Sequence, residues 1–580
     1  ERLGEAPNNS PAAQTPGAEV IDQIKERVNQ ELKTRLEAKL PSSQMQLQLL
    51  ARAYDVKWTR AYRSPKAIEQ IIKGLDALFA AYRQNPKLAQ AEPSTWNPDW
   101  FGLGVCGEVI ALRRGELEKL FDETIDDGHG GKISRRAAYT EMLVACRDWH
   151  RKHRRLYTNQ TILNDLNGIY RANQGIAVLS PDQALSEKNV RRYLYESLGL
   201  EPWRDNDKGG EAAVETAGRG WNVGTNYWEL TAKGLSKELG YVGSYGEIVD
   251  LVADVYNATR PALNQPGDER IRQQLLKVAH ARVNFRYPSL DEHGNRVMRL
   301  EQIVGWRDNH YPGYFAYAQR ATRDASALQA AAITLDPLLV GIAQQMIADN
   351  QFFASEEVAL NDGAQNLRTT IGRLATPDEY ELIQSQPAQS QRLPMTPGQP
   401  DFVFADEEDG VVAIKNGDEI LYASLYWRAR HGVNSLGRVH FTTPTIDRIA
   451  VVREDVQFTP SGMNYARADW PNFANGNGGP KFPGELHSVL AGEKLPIAKM
   501  PDGISFKPGD ESVYAGRGDF FTLRYGHYLI GLNMSADKTF ELKTPAGISG
   551  AKELISKKTL KLDAPLKVAP RSTVVLFFGK

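Results

Sequence analysis

Residues 385–401 read SQPAQSQRLPMTPGQPD. Gln, Ser and Pro dominate the stretch, and prolines that recur this often deny a helix or a central strand its backbone donors, so it reads as a linker. The periodicity differs on its two sides. Upstream, apolar residues recur at three and four, the spacing of an amphipathic helix. Examples are IDQIKERVNQELKTRLEAKL (21–40), AIEQIIKGLDALFAAY (67–82), EVIALRRGELEKLF (108–121), NQTILNDLNGIYRANQGI (159–176), SYGEIVDLVADVYNATR (244–260), ERIRQQLLKVAHARVNF (269–285) and LQAAAITLDPLLVGIAQQMIADN (328–350). Downstream, VVAIKN, EILYASLYW, RVHFTT, FFTLRYGHYLIGLN and STVVLFF are short, β-rich and bounded by turn residues. Helices first and strands second argue against one alternating α/β layer. The expected fold is therefore multidomain α+β: a flexible N-terminus (1–17), an (α/α) toroid of helical hairpins (18–384), the linker (385–401) and an antiparallel, β-sandwich-like domain (402–580).

Composition narrows the function classes. The 580 residues hold 70 Lys+Arg against 71 Asp+Glu, a net charge of −1, without the basic excess of a nucleic-acid binder. No run of about 18 apolar residues suggests a membrane span. Two cysteines, Cys106 and Cys146, cannot make a disulfide framework or a thiolate metal site, and both read as buried thiols. The opening ERLGEAPNNSPAAQTPGAE is polar and reads as the start of a mature chain after signal removal, so a secreted or periplasmic location is expected. The 23 Tyr and 10 Trp suit sugar stacking as well as cores.

No Walker loop, HExxH, GxSxG or dinucleotide fingerprint appears where it could work. DETIDDGHGG (122–131) lacks the alternating ligands and closing Glu of a calcium loop and reads as a plain loop. NYARADWPNFANGNGGPKFPGE (464–485) interrupts the strand rhythm, either as a functional loop or as packing along a sheet edge. Two segments concentrate chemistry. GWNVGTNYWEL (220–230) carries Trp221, Asn222, Asn226, Tyr227, Trp228 and Glu229; WRDNHYPGYFAY (306–317) carries Arg307, Asp308, Asn309, His310, Tyr311, Tyr314 and Tyr317. Either alone reads as aromatics packing at helix ends. Together, on a helical scaffold followed by strands, they are more informative.

In that arrangement the chain resembles the polysaccharide lyases with an (α/α) toroid and a C-terminal antiparallel β-sheet domain, the broad group of hyaluronate, chondroitin and alginate lyases. The hyaluronate and chondroitin branch has an Asn-Trp-Trp…Glu motif, matched here by Asn226-Tyr227-Trp228-Glu229. Its His precedes a Tyr-x-Gly-x-Tyr run, matched here by His310 before Tyr311-Pro312-Gly313-Tyr314, one residue shorter. That departure leaves Tyr314 and Tyr317 competing for the catalytic tyrosine position. It also points to a distant branch, among which the L-rhamnose-α-1,4-D-glucuronate lyases of arabinogalactan are singled out. The resemblance implies β-elimination on an acidic polysaccharide or oligosaccharide, with Asn226 neutralising the carboxylate, His310 as base or neutraliser and Tyr314 as acid.

The residue types fit that chemistry. β-Elimination removes the C5 proton beside the uronate carboxylate, and an amide or cation on that carboxylate stabilises the charge that grows. Histidine can accept a proton near neutrality, and an un-ionised tyrosine can protonate the leaving oxygen. No metal or organic cofactor is required. Trp221 and Trp228 could stack on sugars, with Arg307, Tyr311 and Tyr317 beside them. The basic run RDWHRKHRRLYTNQ (147–160) reads either as a solvated helix face or as a cleft wall attracting a polyanion. In LYWRARHGVN (425–434), Arg428 and Arg430 share a strand face, and His431 is a candidate because some related lyases contribute a His from this domain. Two other classes stay open. A glycoside hydrolase needs two carboxyl groups, for which Glu229 and Asp308 are available. A non-catalytic glycan-binding protein would use the aromatics as platforms.

Overall fold

The computed structural model describes residues 17–90, 101–155, 157–204, 227–238, 240–244, 246–262, 264–291, 294–305, 311–315, 317, 326–349, 352–353, 355–356, 367–426, 435–459 and 517–579. Helices fill the described residues up to Ser385 and strands those from Phe402 onward, with two short hairpins interrupting the helical part. The molecule is thus a multidomain α+β protein with an all-antiparallel sheet part.

Local chemistry sets the helix ends. The Gln46 side chain accepts from the Ser43 backbone N–H (2.8 Å) ahead of helix Gln44–Ala53. Asp268 caps helix Glu269–Arg282 by accepting from the N–H groups of Arg270 and Ile271. The stretch 328–350 forms two helices, Gln329–Thr334 and Pro337–Ala348, where a single one is expected from its periodicity. Leu335 adopts a left-handed conformation, and Asp336 accepts from Leu338 and Leu339 with Pro337 in the first turn. This is a stop followed at once by a start. Within 159–176 the stretch Asn164–Arg171 is wound as a π-helix. The 122–131 loop forms the turn of a small hairpin, β1 (Thr124–Asp126) and β2 (Lys132–Ser134). The second hairpin, β3 (Arg286–Leu290) and β4 (Arg296–Leu300), follows helix Glu269–Arg282. The first helix, Gly17–Leu36, packs against the last two, Leu367–Gly372 and Thr376–Ser385.

Residues 386–401, between the last helix and the first strand of the sheet part, are not a loose tether. Leu393 and Met395 are buried. Gln345 accepts from the Leu393 N–H (2.9 Å) and donates to Thr396 Oγ1 (3.0 Å). A β-carbon on Gly341 would lie 2.5 Å from the Gln391 carbonyl, so the bare helix surface there admits the strap.

The sheet part opens with a five-stranded meander: β5 (Phe402–Asp406), β6 (Val411–Asn416), β7 (Glu419–Ser424), β8 (Leu436–Thr443) and β9 (Ile446–Arg453). A second sheet has the order β10-β11-β12-β17-β14-β15, with β10 Asp455–Gln457, β11 Phe520–Tyr525, β12 Tyr528–Asn533, β14 Gly550–Glu553, β15 Lys558–Lys561 and β17 Ser572–Phe577. A separate pair joins β13 (Phe540–Leu542) and β16 (Leu566–Val568). Side chains alternate across a strand. Val412, Ile414, Leu421 and Ala423 therefore meet Phe521, Leu523, Ile530 and Leu532 of the second sheet. Their neighbours Val411, Ala413, Ile420 and Tyr422 point the other way, into the core formed with the helical part, where Tyr241, Phe285 and Val304 lie. The centre of the meander, β6 and β7, is thus covered on both faces, which explains why β6 is apolar almost throughout.

Candidate active site

The segment beyond β4 turns back along that strand. Leu300 N–H donates to the Tyr314 carbonyl (2.8 Å), and Arg299 bridges to Phe315. Gly313 makes this approach possible, since a β-carbon there would lie 1.9 Å from the Leu300 carbonyl oxygen. Arg299 fastens the strand by donating to the Gly313 carbonyl (2.9 Å), with its guanidinium 4.5 Å from the Phe315 ring centre. The Gly313 N–H donates to the Tyr287 hydroxyl (3.3 Å). The three tyrosines of this stretch meet different fates. Tyr314 is 40 % exposed. Tyr317 is 1 % exposed and donates to Asp349 (3.0 Å) from within the helical core. Burial and the Asp349 charge raise its pKa. As a substrate contact or as a rival for the acid position, Tyr317 is therefore misplaced, because the core has claimed its ring. Tyr311, joined to Pro312 by a cis peptide, is half-buried and donates its hydroxyl proton to Asp447.

Asp447 is the outer end of a chain crossing from the sheet part into the helical part. His440 Nε2 lies 3.0 Å from its second oxygen, and His440 Nδ1 lies 2.5 Å from Glu301. The other Glu301 oxygen accepts from the N–H groups of Ile303 (2.6 Å) and Val304 (3.3 Å). His440 and Glu301 are fully buried. Burial works against an imidazolium, but Glu301 and the hydrogen bonds to both carboxylates outweigh it, and the His440 pKa is pushed up to about 10. Burial likewise opposes the Asp447 charge, yet His440 and the Tyr311 hydroxyl hold its carboxyl below the usual range. The edge of the Tyr287 ring meets the imidazole at 4.9 Å. Two residues before His440 on β8, the buried Arg438 donates to the Gly305 carbonyl (2.6 Å), and burial pulls its pKa down to about 9. Gly305 N–H donates to Ser424 Oγ (2.8 Å). With φ of 100°, Gly305 sits in a conformation few other residues adopt, and a β-carbon there would be 2.1 Å from the Tyr241 carbonyl.

The described residues of the other segment, 227–230, pack against the helical part. Tyr227 is buried, its carbonyl accepting from Trp203 N–H (2.9 Å) and its ring edge-on to the Trp203 indole. Trp228 points outward and is 43 % exposed. Glu229 is fully buried, with the Thr158 hydroxyl 3.0 Å from its carbonyl and 3.3 Å from its carboxylate. Burial pushes the Glu229 carboxyl well above the usual range; Arg154 opposes the rise, and Glu238 and Asp165 add to it. Beyond it, Thr231 donates to Asp406 (2.6 Å) and Lys237 pairs with Glu408 (3.0 Å). The chain then brings Tyr241 and Gly243 against Gly305 and Glu301. Tyr311 of one segment and Thr231, just past the other, thus both bond to the five-stranded meander.

Asn226, His310, Trp221, Arg307, Asp308, Arg428 and His431 lie outside the described residues, as does the 464–485 stretch. The basic run is not uniformly a solvated face: Lys152 is exposed, but Arg147 and Arg154 are buried. Arg154 sits between Asp165 and Glu196 at 2.5 Å each, and Arg147 bonds Asp148, Asn173 and the Gln183 carbonyl. Cys106 and Cys146 are buried free thiols. Glu301, His440 and Asp447 escaped the sequence reading. For His440 and Asp447 the signal was present only as a polar alternation in RVHFTTPTID, which an exposed sheet face would also produce, and nothing around Glu301 marked it. Among the described residues no group of three or more His, Cys, Asp or Glu side chains could hold a metal ion, and no helix is long and apolar enough to cross a membrane.

The chain matches no protein-family model and no curated protein. Among solved structures it is similar to a point mutant of the chondroitin AC lyase of Streptomyces coelicolor A3, at 11 % identity and a TM-score of 0.36, covering 99 % of this chain and 81 % of that one. A likeness at that level adds nothing to the residue-by-residue reading.

Proposed function

We propose that the chain is a polysaccharide lyase that cleaves a uronate-containing glycan by β-elimination. Asn226 neutralises the uronate carboxylate, His310 acts as base or neutraliser, and Tyr314 protonates the leaving oxygen. The observation that supports this reading best is the contrast between the two competing tyrosines: Tyr314 reaches solvent, whereas Tyr317 is sealed in the core. An acid must reach its substrate, and a hydroxyl sealed in the core and committed to Asp349 cannot. Trp228, exposed on the second segment, offers a flat face for a sugar ring. Rhamnose–glucuronate linkages of arabinogalactan are the proposed substrate within this class, and a secreted or periplasmic location follows from a polymeric glycan substrate. A hydrolase built on Glu229 and Asp308 is less well supported, because Glu229 has no exposed surface from which to reach a glycosidic bond.

The test is incubation with gum arabic, other arabinogalactans, glycosaminoglycans, alginate and pectin, read as ultraviolet absorbance of the unsaturated product. A rise with one polymer, lost in Tyr314→Phe and His310→Ala, is expected. New reducing ends without absorbance would transfer the reading to hydrolysis. Binding without turnover, merely weakened by Tyr314→Phe, would make the chain a glycan-binding protein.

A further inference from the structure

The geometry of the Glu301–His440–Asp447–Tyr311 chain, with an imidazole held between two carboxylates, favours one direction for every proton. An ionised carboxylate can only accept, and a doubly protonated imidazole can only donate. His440 lies between two carboxylates, so both of its N–H groups point at oxygen. Asp447, with one oxygen facing that imidazolium, takes the Tyr311 proton on the other. A phenol has a single proton to give. Tyr311 can therefore offer only lone pairs to anything that binds against it. The chain also runs from inside to outside: Glu301 and His440 are fully buried, the Asp447 side chain is 21 % exposed, and Tyr311 is half-buried at the mouth. Ile446, next to Asp447 at the tip of the β8–β9 hairpin, is 39 % exposed beside it.

We propose that Tyr311 binds the substrate as an obligate hydrogen-bond acceptor for a sugar hydroxyl, and that Glu301, His440 and Asp447 are positioning residues that fix this polarity. The proposal rests on the glycan-lyase reading above. It gives the sheet part a defined share in the site: the meander supplies the imidazole and carboxylate that orient a tyrosine borne by the helical part. The chain selects for a free hydroxyl on the sugar and against an ether oxygen at the same place, because two acceptors facing each other leave both unsatisfied.

The test uses the full chain and whichever polysaccharide of the panel it turns over. Tyr311→Phe should raise KM about three- to ten-fold with kcat within about two-fold, the pattern of a lost neutral hydrogen bond made equally in the ground and transition states. Asp447→Asn reverses the polarity: His440 keeps donating to the amide oxygen, the amide N–H faces Tyr311, and the phenol proton turns outward. Wild type should discriminate against the partially O-methylated polymer, and Asp447→Asn should lose that discrimination. Burial alone gives no reason for such a reversal. Turnover with KM unchanged in Tyr311→Phe, or with O-methyl discrimination unchanged in a folded Asp447→Asn, overturns the inference and leaves the lyase reading standing. If Asp447→Asn does not fold by circular dichroism, Tyr311→Phe decides alone. If wild type turns over no polymer, calorimetric binding to the same panel decides: binding weakened by Tyr311→Phe supports the inference while the lyase reading fails, and absence of binding overturns both.

Discussion

His440 Nδ1 lies 2.5 Å from a carboxylate oxygen of Glu301, although 139 residues separate them in the chain. Both are fully buried, one on strand β8 and the other just past hairpin β4, so the contact ties the sheet part to the helical part through charge. A buried pair of this kind contributes little over an apolar substitute, but losing one partner leaves the other charge stranded.

Glu301→Gln should accordingly cost about 3–5 kcal/mol of stability, measured by urea unfolding. The pH dependence has a definite sign. The folded-state pKa of His440, about 10, lies above the ordinary imidazole value of about 6.5. Its stabilising contribution is complete below about 6.5 and is lost as pH rises through the folded-state value. Wild-type urea midpoints should fall across that window, and the fall should be shallower in Glu301→Gln. Equal slopes in the two proteins would mean that Glu301 does not hold His440 as an imidazolium.

Tyr314→Phe and Tyr317→Phe should separate cleanly. The first should abolish turnover with little change in stability, since an exposed ring keeps its packing. The second loses a hydrogen bond to Asp349 and should cost about 1–3 kcal/mol while turnover persists. Inactivity of a folded Tyr317→Phe protein beside an active Tyr314→Phe would exchange their assignments.

Gly313→Ala adds a methyl group where the Leu300 carbonyl oxygen stands 1.9 Å away. The strand carrying Tyr311 and Tyr314 must shift off β4, at a cost of about 1–3 kcal/mol or more. Turnover should fall more than stability does, because the displaced tyrosines belong to the site. Unchanged kcat and KM in this variant would show that the position of the strand does not matter.

Glu229→Gln distinguishes elimination from hydrolysis. Burial holds the Glu229 carboxyl well above the usual range, so a neutral amide of the same shape replaces a group that favours its neutral form. A lyase should keep its turnover within about three-fold, whereas general acid catalysis contributes typically about 10²–10⁴-fold and would be lost. Comparing kcat of the two proteins on the active polysaccharide gives the answer.

Several features were legible before any coordinates. The helical spacing upstream and the strand rhythm downstream follow from side-chain periods of 3.6 and 2, which are properties of the backbone. The two aromatic segments stood out because their residue types are costly to leave without partners. Other features were not legible. Arg154 looked like part of a solvated basic face, because its partners Asp165 and Glu196 come from other turns and another helix. Leu393 and Met395 looked like linker residues, because Gln345, which holds the Leu393 N–H and the Thr396 hydroxyl, belongs to helix Pro337–Ala348.

By itself, the sequence determined that helices precede strands and which residues of each strand share a face. Arg438, His440 and Thr442 lie on one side of β8 for that reason alone. Only the tertiary structure decided what covers that side. A polar row on a strand normally marks water, but here the helical part closes over it, and Glu301 and Tyr311 arrive from more than a hundred residues away. Periodicity is local, whereas the partner of a buried charge is chosen by packing between distant segments.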